Sequence, residues 1–246
     1  MPQNFEYQFD YLSYKKRTTK NFSLSFTLLL IIIILLTGLA IYFKPLKAAN
    51  YEFYFVKANT FSTYTQANNL SLEIQNSGGG GNLHYNSGYN ILVNFYTDKE
   101  DAEAVCENLK STYSNASIYK IQAKNFKNLS KLSKNQCKSV QNLEKFLISS
   151  INSLSTISLE LDKNEINFNQ ASTVYCSMFN DYQDLYEDLL IQFKTNSKYN
   201  LAKEYANNIY LNLQTLASEK ENLTNQKIKY LTIDIVLNFA SFLNSF

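Results

Sequence analysis

The chain has 246 residues, a formal charge of +2 and 45% hydrophobic residues, enough for one large domain or two small ones. So even a charge balance argues against a nucleic-acid role, which needs a clustered basic face. Cys106, Cys137 and Cys176 lie far apart without a CxxC pair, and His84 is the single histidine, so no Cys/His metal set and no cofactor are expected. The cysteines read as small buried apolar residues, with a Cys137–Cys176 bridge as the other option.

In chain order, Met1 to Lys20 is a polar tail carrying Lys15, Lys16, Arg17 and Lys20. Residues 21–43 then carry no charge and centre on Thr27-Leu-Leu-Leu-Ile-Ile-Ile-Ile-Leu-Leu36. A helix of that length spans about 35 Å, enough for a hydrocarbon core of about 30 Å. The sequence therefore predicts one transmembrane helix, with the more basic flank inside: tail cytoplasmic, remainder extracytoplasmic. Residues 44–50 read as a linker.

Residues 51–123 read as a small α/β unit. Tyr51-Glu-Phe-Tyr-Phe-Val-Lys57 has strand composition, and Ala67, Leu70 and Ile74 recur at helical spacing between Thr63 and Gln75. Ser77-Gly-Gly-Gly-Gly81 stops that helix and reads as a connection to the short strand Asn82–Tyr85, since it lacks the Lys-Ser/Thr of a phosphate loop. Asn86-Ser-Gly88 is a hairpin turn signal before the strand Tyr89–Tyr96. Thr97 is placed to N-cap a helix with Glu100 completing a capping box, and Ala102, Val105, Cys106 and Leu109 face inward. Ala116 to Ile121 is the last strand. The unit repeats internally: Val56, Ala58, Asn59, Phe61, Ala67, Leu70 and Ile74 match Ile91, Val93, Asn94, Tyr96, Ala102, Val105 and Leu109. Two such halves predict a ferredoxin-like βαββαβ sandwich, with both helices on one face of the sheet.

Residues 124–246 read as an all-α domain. From Asn125 onward there is no proline or glycine, and breaks near Leu161–Asn164, Thr195–Ser197 and Glu221–Asn225 divide three or four amphipathic helices, a bundle or a long hairpin. Asp234 interrupts the last apolar run and argues against a second span. The fold class is thus α+β: an anchor helix, a split-βαβ domain and a helical domain.

No nucleophile elbow, phosphate loop or metalloprotease motif occurs, so no enzyme is expected. Asp181, Asp184, Glu187 and Asp188 read as a solvated helix face behind Tyr182, Leu185 and Leu189. The sheet face away from the two helices is the candidate site. Strand alternation places Phe55, Lys57 and Asn59 there, with Asn90, Leu92 and Asn94. Amides that bond hydroxyls, one cation and aromatic planes suit a sugar. The other reading is that these apolar residues pack against protein, in particular the chain's own C-terminal helices.

Phe55-Val-Lys-Ala-Asn-Thr-Phe61 and Tyr89-Asn-Ile-Leu-Val-Asn-Phe-Tyr96, each leading into a helix with a mid-helix alanine, resemble the SPOR (sporulation-related repeat) domain. The glycine run before the second strand and the Thr97-Asp-Lys-Glu-Asp-Ala-Glu103 helix start are also similar. Lys57 stands where the family usually has Gln, and Asn59 and Asn94 where it has Gly; Asn tolerates positive φ better than most residues. The resemblance covers the α/β unit alone. It implies a bacterial, membrane-anchored, non-enzymatic binder of peptidoglycan glycan strands in cell division or sporulation. The glycan-binding residues it implies are Phe55, Lys57, Asn59, His84, Asn90 and Leu92. Partners in the division or sporulation machinery, or self-association as a coiled coil, would fall to the helical region. The rival expectation is an envelope scaffold whose sheet and helices bind protein rather than glycan, and it predicts a covered sheet face.

Overall fold

A computed structural model describes residues 51–123, 131–219 and 222–246, all within one compact unit, Leu46–Phe246. The sequence-predicted anchor at 21–43, its flanks and the linker lie outside the described residues. Among the described residues no helix is long and apolar enough to cross a membrane.

The α/β region runs β1 (Tyr51–Phe61), α1 (Tyr64–Asn76), β2 (Asn82–Tyr85), β3 (Tyr89–Tyr96), α2 (Lys99–Leu109) and β4 (Ser117–Ala123). The strands form one antiparallel sheet in the order β2-β3-β1-β4. Each half threads strand, helix, strand, as the internal repeat predicts. α1 and α2 cover one face through two small clusters: Ala58, Ala67, Ile74 and Ile91 under α1, and Tyr54, Val56, Ala102, Cys106 and Ala116 under α2. Small residues at the repeat positions let both helices lie close to the strands.

Local details depart from the sequence reading. Asp98, not Thr97, caps α2, accepting from the backbone N–H of Glu100 and Asp101 at 2.7 and 3.3 Å. A carboxylate also complements the helix dipole better than a hydroxyl does, so the cap moves one residue on. The hairpin turns with Ser87 at φ 57° and Gly88 at φ 152°.

The helical region holds α3 (Lys134–Asp162), α4 (Phe168–Gln192), a 3₁₀ turn (Ser197–Tyr199), α5 (Asn200–Ser218) and α6 (Asn225–Asn244). Capping boxes start α3 and α4, Ser133 with Gln136 and Asn167 with Gln170. Adjacent helices pack in sequence and α6 returns to α3, closing a four-helix bundle. No Cys137–Cys176 bridge forms: the Cys137 thiol lies at the Leu132 carbonyl and the Cys176 thiol at the Ala217 carbonyl.

α6 is buried on nearly every side, through Ile228, Leu231, Ile233, Ile235, Val236, Leu237, Phe239, Ala240, Phe242 and Leu243. A helix apolar all round belongs in a core. One side meets the bundle, where Asn212 and Asn238 donate to the Asp234 carboxylate at 2.6 and 3.0 Å and Asn208 donates to Asn238 at 3.1 Å. The other side lies on the sheet.

Candidate functional site

The face left bare by α1 and α2 is not bare. Phe53, Phe55, Leu92, Phe95 and Ala123 belong to one continuous core with Leu143, Leu147 and Ile151 of α3 and Phe239 of α6. Phe55 and Leu92 are fully buried, and Phe53 meets Phe239 edge-on at 6.1 Å. The physical reason is the ring content of this face. Three phenylalanines in water would cost several kcal/mol, at about 2 kcal/mol for each buried side chain. The bundle removes that cost by using the sheet as its fifth wall.

The six residues expected to meet a glycan are therefore dispersed. Phe55 and Leu92 are core. Asn90, 3% exposed, spends its amide on the hairpin: Nδ2 reaches the carbonyls of His84, Asn86 and Gly88, and Oδ1 accepts from the Thr60 hydroxyl at 2.8 Å. None of its polar atoms is left for a sugar. Asn59 pairs in register with Ile91, whose side chain lies under α1, because the β1–β3 register shifts on either side of Lys57. The same irregularity pairs Asn94 with Val56, so Asn94 leaves the Leu92 face as well.

Those two asparagines are repeat partners with one shared task. Each side-chain Oδ1 accepts from the next backbone N–H, Asn59 from Thr60 at 2.8 Å and Asn94 from Phe95 at 2.9 Å. Neither takes positive φ; among the described non-glycine residues only Ser87 and Asn164 do. They serve the irregular strand backbone rather than a ligand, as short amide side chains often do.

Lys57 and His84 remain half-buried at the end of the face. His84 lies against Tyr119, ring centroids 5.6 Å apart, and Asn86 donates to the Tyr119 hydroxyl at 2.7 Å. Burial lowers the His84 pKa, opposed by the nearby Asp234 carboxylate. This rim keeps one cation, one imidazole and one aromatic plane in reach of solvent. Tyr119 was not singled out in the sequence; its strand pairing with Phe55 is what places it here.

The glycine run has a structural task. A Cβ on Gly80 would stand 2.8 Å from Ile233 Cδ1 and 3.2 Å from the Lys229 carbonyl carbon, so the absence of a side chain lets α6 approach the sheet edge. Lys229 then donates to the Gly78 carbonyl at 2.8 Å and pairs with Asp162 at 2.7 Å. At the other end of the sheet the Tyr51 hydroxyl donates to Glu144 at 3.0 Å. Glu144 is 1% exposed and its Oε2 has no hydrogen-bond partner. Burial raises its pKa, with the Tyr51 bond and Lys145 pulling the other way.

A cleft of about 440 Å³ opens beside this contact, lined by Tyr51, Glu52, Phe53, Tyr54, Thr97, Ile148, Ile151 and Asn152. Its carboxylate, Glu52, is already held by Lys120 at 2.6 Å, by the Tyr54 hydroxyl at 2.5 Å and by Gln122 at 2.9 Å, which lowers its pKa to about 2, with Lys120 the largest cause. Such a committed carboxylate is poorly suited to proton transfer. Among the described residues no group of three His, Cys, Asp or Glu could hold a metal ion. Asp181, Asp184 and Glu187 face solvent while Tyr182 and Leu189 are buried behind them. No family model, curated protein or solved structure matches this chain.

Proposed function

We propose that this protein is a single-pass, membrane-anchored scaffold of the bacterial envelope, without catalytic activity. Its ferredoxin-like, SPOR-type domain is joined to a helical bundle, and it acts by presenting surfaces to protein partners. The span at 21–43 supplies the anchor, and the positive flank sets the tail inside. One observation carries the choice of scaffold over glycan binder: Phe55 and Leu92, central to the expected sugar face, are core residues shared with the bundle. A sugar ring cannot reach them without separating the sheet from α3 and α6.

Binding to purified sacculi, before and after amidase treatment, tests the reading. The expected result is no retention on either. Retention on amidase-treated sacculi would restore the glycan reading, and the rim of Lys57, His84 and Tyr119 is where it would have to act, because these residues keep partial exposure. Tyr119→Ala would then abolish retention. Separately, a reporter fused after Phe246 is expected to report an extracytoplasmic position.

A further inference from the structure

We propose that the α4–α5 hairpin tip, together with the start of α3, is a docking surface for an anionic lipid bilayer. The tip exposes three large aliphatic side chains, Ile191 at 70%, Leu201 at 59% and Leu190 at 36%. Leu190 to Lys203 contains Lys194, Lys198 and Lys203 and no Asp or Glu. The nearest acidic side chains in sequence, Asp188 and Glu204, lie two residues before Leu190 and one after Lys203, and Asp188 accepts from Gln192 at 3.3 Å. Gln136 Nε2 donates to the Gln192 carbonyl at 3.0 Å, which brings the first turn of α3 alongside. Lys131, Lys134 and Lys138 are exposed there. Aliphatic side chains ringed by lysines fit an interface of acyl chains beneath anionic headgroups.

The aliphatic side chains protrude from a rigid base. Phe193 and Tyr199 are buried beneath them, edge-on to each other at 5.1 Å, and Phe246 meets both at 5.8 and 5.3 Å. Lys203 Nζ is drawn to the Phe193 carbonyl at 3.4 Å. An ordered tip loses little entropy on docking, so its apolar area and charge act at nearly full strength.

A bilayer is favoured over a protein partner by where this end lies on the chain. Tyr51, the first described residue, contacts Phe239 at 6.2 Å, and from there α6 leads to Phe246 and the tip, about 10 Å further on. In sequence, the apolar span precedes Tyr51 by the stretch 44–50. The basic, aliphatic end is thus the end at which the chain arrives from the expected anchor. This last step rests on the anchored reading above; the charge and exposure of the tip do not.

The test uses the compact unit 46–246, in which sheet and bundle share a core, and vesicles of phosphatidylcholine with or without phosphatidylglycerol. Co-sedimentation is expected with the anionic vesicles only and should weaken with added salt. Ile191→Glu with Leu201→Glu should cut binding at least about tenfold, and Lys194→Gln with Lys198→Gln by roughly fivefold per lysine. Circular dichroism and thermal melts of both double variants should match the parent, since all four side chains are exposed. No sedimentation with anionic vesicles, equal binding to both lipids, or full binding by the Glu variant would each overturn the proposal. Carbonate extraction of the full chain tests the anchor separately: loss of the anchor leaves vesicle binding by 46–246 intact, and the reverse outcome isolates a failure of the tip.

Discussion

The two faces of the sheet are built to different scales. Against α1 and α2 the strands present Val56, Ala58 and Ile91, and the helices answer with Ala67 and Ala102, so the core there is thin and split in two. Toward α3 and α6 they present Phe53, Phe55, Leu92 and Phe95, which merge with the whole bundle interior. The thin side is what an internal repeat encodes, since each half needs its own helix. The thick side has no repeat counterpart and is specified only in combination with residues of α3 and α6, which lie outside the repeat. This contrast teaches that the α/β unit is less an appendage of the bundle than one of its walls.

The sharpest way to break the comparison is to truncate one residue on each side. Phe55→Ala is expected to cost about 3–5 kcal/mol, because the bundle cannot close over the lost ring. Val56→Ala, its neighbour on the thin side, should cost about 2 kcal/mol. Urea unfolding followed at once by helix content and tyrosine fluorescence should keep one shared transition in both variants. If Phe55→Ala leaves the bundle transition in place and melts the sheet alone, the two regions are separate domains and the shared core is incidental.

Gly80→Ala comes next and probes the seam from its edge. The added methyl would meet Ile233 Cδ1 at 2.8 Å and the Val93 carbonyl oxygen at 3.1 Å. Overpacking of this kind costs about 1–3 kcal/mol. Gly78→Ala meets no atom within 4 Å, yet its φ of +93° still strains it. The two variants therefore separate backbone strain from helix approach, and the distinction would appear as a loss of protection of β2 amides in Gly80→Ala alone.

How far the sequence carried the fold follows from the same contrast. The order of elements along the chain, the helix breaks and the inward set on the thin side were legible, because they rest on local periodicity and on the repeat. The covered face is legible too, in the composition of α6. Ile228 to Leu243 is apolar on more than the one stripe of Leu231, Ile235, Phe239 and Phe242, and a helix of that kind needs neighbours all around. Where the candidate site residues would lie was less legible, for two reasons. Strict alternation could not foresee the register shifts around Lys57 that turn Asn59 and Asn94 away. Nor does any local pattern reveal that the Asn90 amide is consumed by three hairpin carbonyls.

Glu144 sharpens the comparison through pH. It is a carboxylate buried at the thick side, where Tyr51 meets α3, and its pKa is raised by burial. Unfolded, it titrates near about 4.3. A raised folded pKa means that its favourable contribution is complete below the unfolded value and is lost as pH rises through the folded one. Glu144→Gln keeps an acceptor for the Tyr51 hydroxyl and removes the charge. The variant should match the parent near about pH 4 and exceed its stability progressively toward about pH 8, as urea midpoints across that range would show. A parent and variant with parallel pH profiles would mean that Glu144 stays solvated.

The smallest effect is expected at the opposite end of the seam, and its sensitivity to salt is the informative part. Asp162 receives Lys229 at 2.7 Å and Asn225 at 3.2 Å, and Lys229 also holds the Gly78 carbonyl. The carboxylate is 37% exposed while the lysine is 11% exposed, so water screens one partner of the pair. Asp162→Asn retains an oxygen for both donors and loses only the charge, for an expected cost below about 1 kcal/mol. That cost should shrink in molar salt, where the screening length falls to about 3 Å. The Phe55→Ala penalty should not shrink under the same conditions, because no charge is involved. Equal salt dependence of the two variants would mean that the sheet is held to the bundle chiefly by its polar ends, and the wall of phenylalanines would then be filling rather than fastening.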